Sequence, residues 1–237
     1  LQEANRTLIS MAIHNPDAAC RVFKQNCEMV IGQYYALKSQ SNDSHPISIP
    51  LVREIIDGYE ARRFIEIVAE SNPEAILNHI LPWFVMTTYR LSTSNDHRNS
   101  FEPAVWFLLS IDDDIEEHNS QRGIPLVQGI LVSMSHLAKV APQMFKKIAE
   151  ELFELDVYVI NQVLMRALRS NPSAYVEAIF DYYVQYPACL RIQPEARLLV
   201  ADAFRHSSET QRRQWEHVLI SMPKIEVGDE VENPLAE

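Results

Sequence analysis

Apolar residues recur along this chain at steps of three and four, and never alternate over a sustained stretch, so the sequence predicts helices and no sheet. In the second half the stripes are sharp. One runs Val127, Ile130, Leu131, Met134, Leu137 and Ala138, and the next Phe145, Ile148, Ala149 and Leu152. Ile160, Val163, Leu164, Ala167 and Leu168 form a third, and Val176, Ile179, Phe180 and Tyr183 a fourth. A last helix is expected to bury Trp215, Val218, Leu219 and Met222. These stripes predict helices beginning near positions 125, 142, 156, 172, 194 and 208. The first half predicts helices near 2–13, 16–38, 50–71 and 73–91, and a short one from Pro103 to Ser110.

Proline marks most of these starts, because its missing N–H costs nothing in the first turn and its ring pre-sets a helical φ. Pro16, Pro50, Pro73, Pro103, Pro125, Pro142, Pro172 and Pro194 are read this way. Asn15, Asn72 and Asn171 precede three of them as capping residues, and Ala141-Pro142 is a degenerate fourth copy. Ser208-Glu209-Thr210-Gln211 has the form of a capping box. Pro82 falls inside a helix and is expected to kink or split it.

The second-half helices form three consecutive pairs with starts roughly 30 to 38 residues apart, the size of a helical-hairpin repeat of the tetratricopeptide or HEAT kind. The fold class expected is therefore all-α, an α-α superhelix. Residues 1–222 read as one helical-repeat domain, irregular over 1–111 and paired more regularly over 125–222. Residues 39–46, 92–100 and 112–123 are polar connections, and 223–237 read as an acidic, mobile tail or linker. The chain starts with Leu1 inside a helical pattern, so it is expected to be a segment of a longer polypeptide with an apolar end that self-associates.

Composition narrows the function. Only 5 of 237 residues are glycine, and neither a Walker loop nor a G-x-G-x-x-G word occurs, so no cofactor-binding backbone cradle is expected. A net charge of −11 disfavours general binding to nucleic acid or anionic membrane. Cys20, Cys27 and Cys189 contain no C-x-x-C pair and point to a reducing, cytoplasmic setting. No apolar run reaches the length of a bilayer span.

Individual residues carry little chemistry. Asp112, Asp113, Asp114, Glu116 and Glu117 are the densest group of potential metal ligands, but the glycine of an EF-hand loop is missing and a solvated acidic loop is the plainer reading. His79 and His136 lack a partner at zinc-helix spacing and are expected to be partly buried and hydrogen-bonded. Cys20 and Cys27 share a helix face with Phe23, Val30, Ile31 and Tyr34 and read as core. Arg166 and Arg169 lie opposite an apolar stripe, and Tyr175 and Tyr182 off the next one. These four are the candidate protein-binding residues, since exposed Arg and Tyr are favoured at interface hot spots. No catalytic, metal or cofactor residue is assigned.

The words Asn72-Pro73-Glu74-Ala75 and Leu81-Pro82-Trp83-Phe84, followed by Ala141-Pro142-Gln143-Met144-Phe145, Asn171-Pro172-Ser173-Ala174-Tyr175 and Tyr186-Pro187-Ala188-Cys189-Leu190-Arg191-Ile192, resemble the C-terminal helical-repeat region of bacterial STAND, or NACHT-like, NTPases. The likeness spans about residues 60–222. It implies a sensor that recognises a trigger protein while an upstream NTPase domain, absent from this sequence, assembles. The expected function is thus a non-catalytic recognition or scaffold module whose partner is a protein or a flanking domain. Two alternatives stay open: a metal-dependent helical enzyme using Asp112 to Glu117, and a HEAT-like nucleic-acid binder using Arg166, Arg169, Arg212 and Arg213.

Overall fold

Asparagine and proline set the helix starts. In the computed structural model, which describes residues 2–40, 59–93, 125–155, 157–185 and 194–221, Pro16, Pro73, Pro125, Pro142, Pro172 and Pro194 each open a helix. Asn15 Oδ1 accepts the Ala18 N–H at 3.1 Å and Asn72 Oδ1 the Ala75 N–H at 3.3 Å, satisfying donors that the first turn leaves without a partner. The Ser208 box also closes reciprocally: Ser208 Oγ accepts from the Gln211 N–H at 3.3 Å, and Gln211 Oε1 accepts from the Ser208 N–H at 3.0 Å. Pro50, the Pro103 helix, the Asp112–Glu117 cluster, Cys189 and the tail 223–237 lie outside the described residues.

The elements are α1 (Gln2–His14), α2 (Pro16–Gln40), α3 (Tyr59–Ser71), α4 (Pro73–Ala75), a π-turn (Ile76–Ile80), α5 (Leu81–Thr93), α6 (Pro125–Val140), α7 (Pro142–Phe153), α8 (Tyr158–Arg169), α9 (Pro172–Gln185), α10 (Pro194–Phe204) and α11 (Glu209–Ser221). Among the described residues there is no strand, and the all-α class holds. The chain divides into two compact units, Leu1–Asn171 and Pro172–Glu237. The boundary falls inside the stretch that the sequence reads as three regular pairs.

In the first unit α3 is packed between α1 and α6, while α2 covers α1 and the π-turn. The amphipathic spacing of α3 buries Ala61, Phe64, Ile65, Val68 and Ala69 on one face, and Phe64 stacks on Phe23 of α2 with ring centroids 4.8 Å apart. Such a stack adds about 0.5–1.5 kcal/mol to what area burial contributes. α6 touches α3, α4, the π-turn, α7 and α8, and buries Leu126, Val127, Gly129, Ile130, Ser133, Met134, Leu137 and Ala138. Gly129 is where α3 comes closest: a methyl group built there would run into the Ile65 Cγ2. Just past α8, Ser170 Oγ donates to the Ser135 carbonyl at 3.1 Å and Asn171 Nδ2 to the Ala138 carbonyl at 3.2 Å. The C-terminal ends of α6 and α8 therefore lie side by side, and Asn171 satisfies one of the last carbonyls of α6.

Pro82 does not split its helix. The winding loosens ahead of it, so that the Leu81 N–H bonds the Ile76 carbonyl five residues back. A regular α-turn would press the proline ring against the Asn78 carbonyl, and the wider π register relieves that clash. The same turn aims His79 at α2, where its Nε2 lies 3.0 Å from Asp17 Oδ1. A carboxylate in the first turn of α2 is also favoured by the helix dipole. His136, by contrast, is exposed, a correction: it sits one residue outside the Leu137–Ala138 edge of the α6 stripe.

Cys20 and Cys27 are fully buried beside Phe23 and Val30, as core residues. Burial pushes the Cys20 thiol up to about 12, helped by the negative charge of Asp17, and raises Cys27 as well, with Glu28 adding to the effect. In the unfolded chain these thiols ionise near pH 9, whereas the folded chain keeps Cys20 protonated to about pH 12. The folded state therefore binds more protons in that window, and stability contributed below it is lost as pH rises through it. Urea midpoints measured from pH 8 to pH 11 should fall, and less steeply for the Cys20→Ala/Cys27→Ala variant. Equal slopes would mean that the thiols do not carry the effect.

Candidate protein-binding surface

Of the four sequence-predicted recognition residues, three are half-buried and Tyr175 is buried. Arg166 and Arg169 belong to the first unit, where both are partly buried and engaged in interactions. Tyr175 and Tyr182 belong to the second. Tyr175 is only 3 % exposed, a correction to its expected place off the stripe, and burial pushes its hydroxyl up to about 12. The reason is helical register. Tyr175, Ile179 and Tyr183 are four apart and form a row beside Val176 and Phe180, so the buried band of α9 is wider than a single stripe. Tyr182 is half-buried and meets Tyr183 edge-on at 5.0 Å.

A different surface is built around α11. Its start is fixed by the Ser208 box, and its one buried side chain is Trp215. The indole lies between Phe180 of α9, at 5.3 Å, and Phe204 of α10, at 5.8 Å. Its Nε1–H is buried without a hydrogen-bond partner. The expected burial of Leu219 is corrected: it is 47 % exposed, and Ile220 is 83 % exposed. Val218 is half-buried, and Met222 lies outside the described residues. One large ring anchors α11, so the rest of its apolar side turns outward.

Arg212 completes the joint between α10 and α11. Its Nε donates to the Phe204 carbonyl and its Nη2 to the Arg205 carbonyl, each at 3.2 Å, and the guanidinium carbon lies 5.6 Å from the Phe204 ring centroid. It thus supplies positive charge and two donors to the C-terminal end of α10, where the Phe204 carbonyl also accepts the Ser207 N–H at 3.3 Å. Arg212→Ala should destabilise the second unit by about 1–2 kcal/mol, since hydrogen bonds from a charged donor are among the stronger ones. Arg212→Lys should recover less than half of this in thermal melts, because an ammonium cannot fork across both carbonyls. Full recovery by lysine would show that charge alone suffices. Arg213 is paired with Glu209 at 3.1 Å. With Arg166 and Arg169 also engaged, all four arginines read as nucleic-acid contacts are thus committed inside the chain.

Two grooves flank α11. The one towards α9 holds about 610 Å³ and is lined by Phe180, Val184, Val218 and His217 together with the Glu209–Arg213 pair. The one towards α10 holds about 630 Å³ and has almost wholly apolar walls from Val200, Ala201, Phe204 and Leu219. Arg197, Arg205 and Glu216 stand at the edges of this second groove. All three are exposed, and among the described residues neither arginine side chain makes an ion pair.

No cluster of three or more His, Cys, Asp or Glu residues that could hold a metal occurs among the described residues. No helix among them is long and apolar enough to cross a membrane. In comparisons with protein-family models, curated proteins and solved structures, the chain matches none.

Proposed function

We propose that this chain is a non-catalytic protein-recognition and scaffold module, its paired helices stacked in a TPR- or HEAT-like superhelix. In this reading it is the trigger-sensing repeat segment of a larger STAND-type signalling NTPase in the cytoplasm. The observation that supports recognition most directly is the outward apolar flank of α11, where Leu219 and Ile220 stand in the open beside an apolar groove. Exposed apolar side chains beside an apolar groove that charged side chains also line are typical of a contact site. The mechanism is differential binding: a trigger protein that fits this flank in one arrangement of the parent protein raises the population of that arrangement. The flanking domains of the same polypeptide are the other partners in this reading.

The test is a selection from a displayed library of folded domains and peptides against the 237-residue chain, with Leu219→Glu as counter-target. Leu219 is half-exposed, so the variant should fold. Binders that hold the natural chain and lose the variant are expected. A selection that yields no binders, or only binders indifferent to Leu219→Glu, contradicts the reading.

A further inference from the structure

The groove between α10 and α11 carries a charge arrangement that defines what fits it. Arg197 and Ala201 lie four apart on α10, and Arg205 follows four residues later in the turn just past its end, so the two arginines stand roughly two helical turns apart along the groove. Between them the floor is Val200, Ala201, Phe204 and, from α11, Leu219. Arg212 is held at the Phe204 ring by the Phe204 and Arg205 carbonyls, so among the described residues lining this groove Arg197 and Arg205 are the cations without an ion pair. Glu216, from α11, is the acid among the described residues that line it. In a chain of net charge −11 this is a locally cationic, apolar channel. The groove towards α9 differs, because its arginine is already neutralised by Glu209.

We infer that this groove binds an amphipathic helix of a partner protein, one with carboxylates seven or eight residues apart and leucine-like side chains between them. The apolar face of such a helix covers Leu219 and Phe204, as in other helix-in-groove complexes, and its two carboxylates meet Arg197 and Arg205. The arginines select the partner and set its register, because a bidentate guanidinium–carboxylate pair is directional. This deepens the recognition reading above and rests on it.

The experiment uses the full chain and two synthetic helical peptides with identical leucine positions. One carries glutamate at the two matching flank positions and the other lysine, and binding is followed by fluorescence anisotropy. The glutamate peptide should bind at least tenfold more tightly. Arg197→Glu/Arg205→Glu, both at exposed positions, should reverse that preference, and Leu219→Glu should abolish binding of both peptides. Equal binding of the two peptides, or a preference unchanged in the double variant, overturns the inference. If neither peptide binds, but the chain dimerises and Leu219→Glu makes it monomeric in sedimentation, the occupant is a second copy and the inference is again overturned. Library binders that depend on Leu219 but show no acidic bias would leave the recognition reading standing while removing this one.

Discussion

Trp215→Ala is expected to lower the stability of the Pro172–Glu237 unit by about 3–5 kcal/mol, the usual range for emptying a buried aromatic site. The size of the effect follows from how little else holds α11. Trp215 is its one buried side chain, and the rings it touches belong to α9 and α10. A small body of this kind has only a few kcal/mol of net stability, so the loss should release α11 and with it the groove walls. Trp215→Phe should cost much less. It keeps a ring between Phe180 and Phe204 and removes an indole N–H that is buried without a partner. Urea unfolding followed by far-ultraviolet circular dichroism measures both. A Trp215→Ala chain within 1 kcal/mol of the natural one, on the roughly ±0.5 kcal/mol scale of ordinary surface changes, would show that α11 is held some other way.

The same glycine-to-alanine change should have opposite signs at two helical positions. In isolation alanine gains about 1 kcal/mol over glycine in a helix interior. At Gly32, in α2, an added methyl meets nothing within 4 Å, so Gly32→Ala should stabilise by about 0.5–1 kcal/mol. At Gly129, in α6, the methyl collides with Ile65 Cγ2 and lies 3.5 Å from Ile76 Cδ1. Overpacking of a tight contact costs about 1–3 kcal/mol, which offsets or exceeds the helical gain and forces α3 away from α6. Paired urea titrations of the two variants should show midpoints moving in opposite directions. A stabilised Gly129→Ala variant would mean that α3 and α6 do not approach as closely as Ile65 and Gly129 indicate.

Helix starts were legible because they are local. An asparagine before a proline, or Ser208 with Gln211 three residues on, specifies its own hydrogen bonds whatever packs nearby. The stripe of α6 was legible for a related reason, since helical period alone selects its buried face, whereas α8 also buries Val159, Asn161, Gln162 and Met165 outside its expected stripe. What the sequence hid depends on neighbours. Tyr175 lies off the stripe that period alone selects, and its burial follows from the breadth of the buried band on α9. Leu219 fits the period of a buried face, yet only tertiary packing decides whether a helix lies against that face. The π-turn before Pro82 replaces the expected break because one extra residue in a turn costs less than losing the helix. Arg212 did leave a signal. A cation in the first turn of a helix opposes the dipole, so its presence there points to work elsewhere, here at the end of α10. The grooves beside α11 left none, since they arise from the way α10 and α11 meet chiefly through Phe204 and Trp215.

The central claim is that this chain acts through a docking face on its last described helix pair. Methyl-labelled nuclear magnetic resonance of the full chain, titrated with a binder recovered from the library selection, tests it most directly. The expected result is a set of shifted methyls confined to Val200, Ala201 and Leu219, saturating with the binder and absent in the Leu219→Glu chain. Shifts gathered in α1 to α8, or spread without a focus, would contradict it.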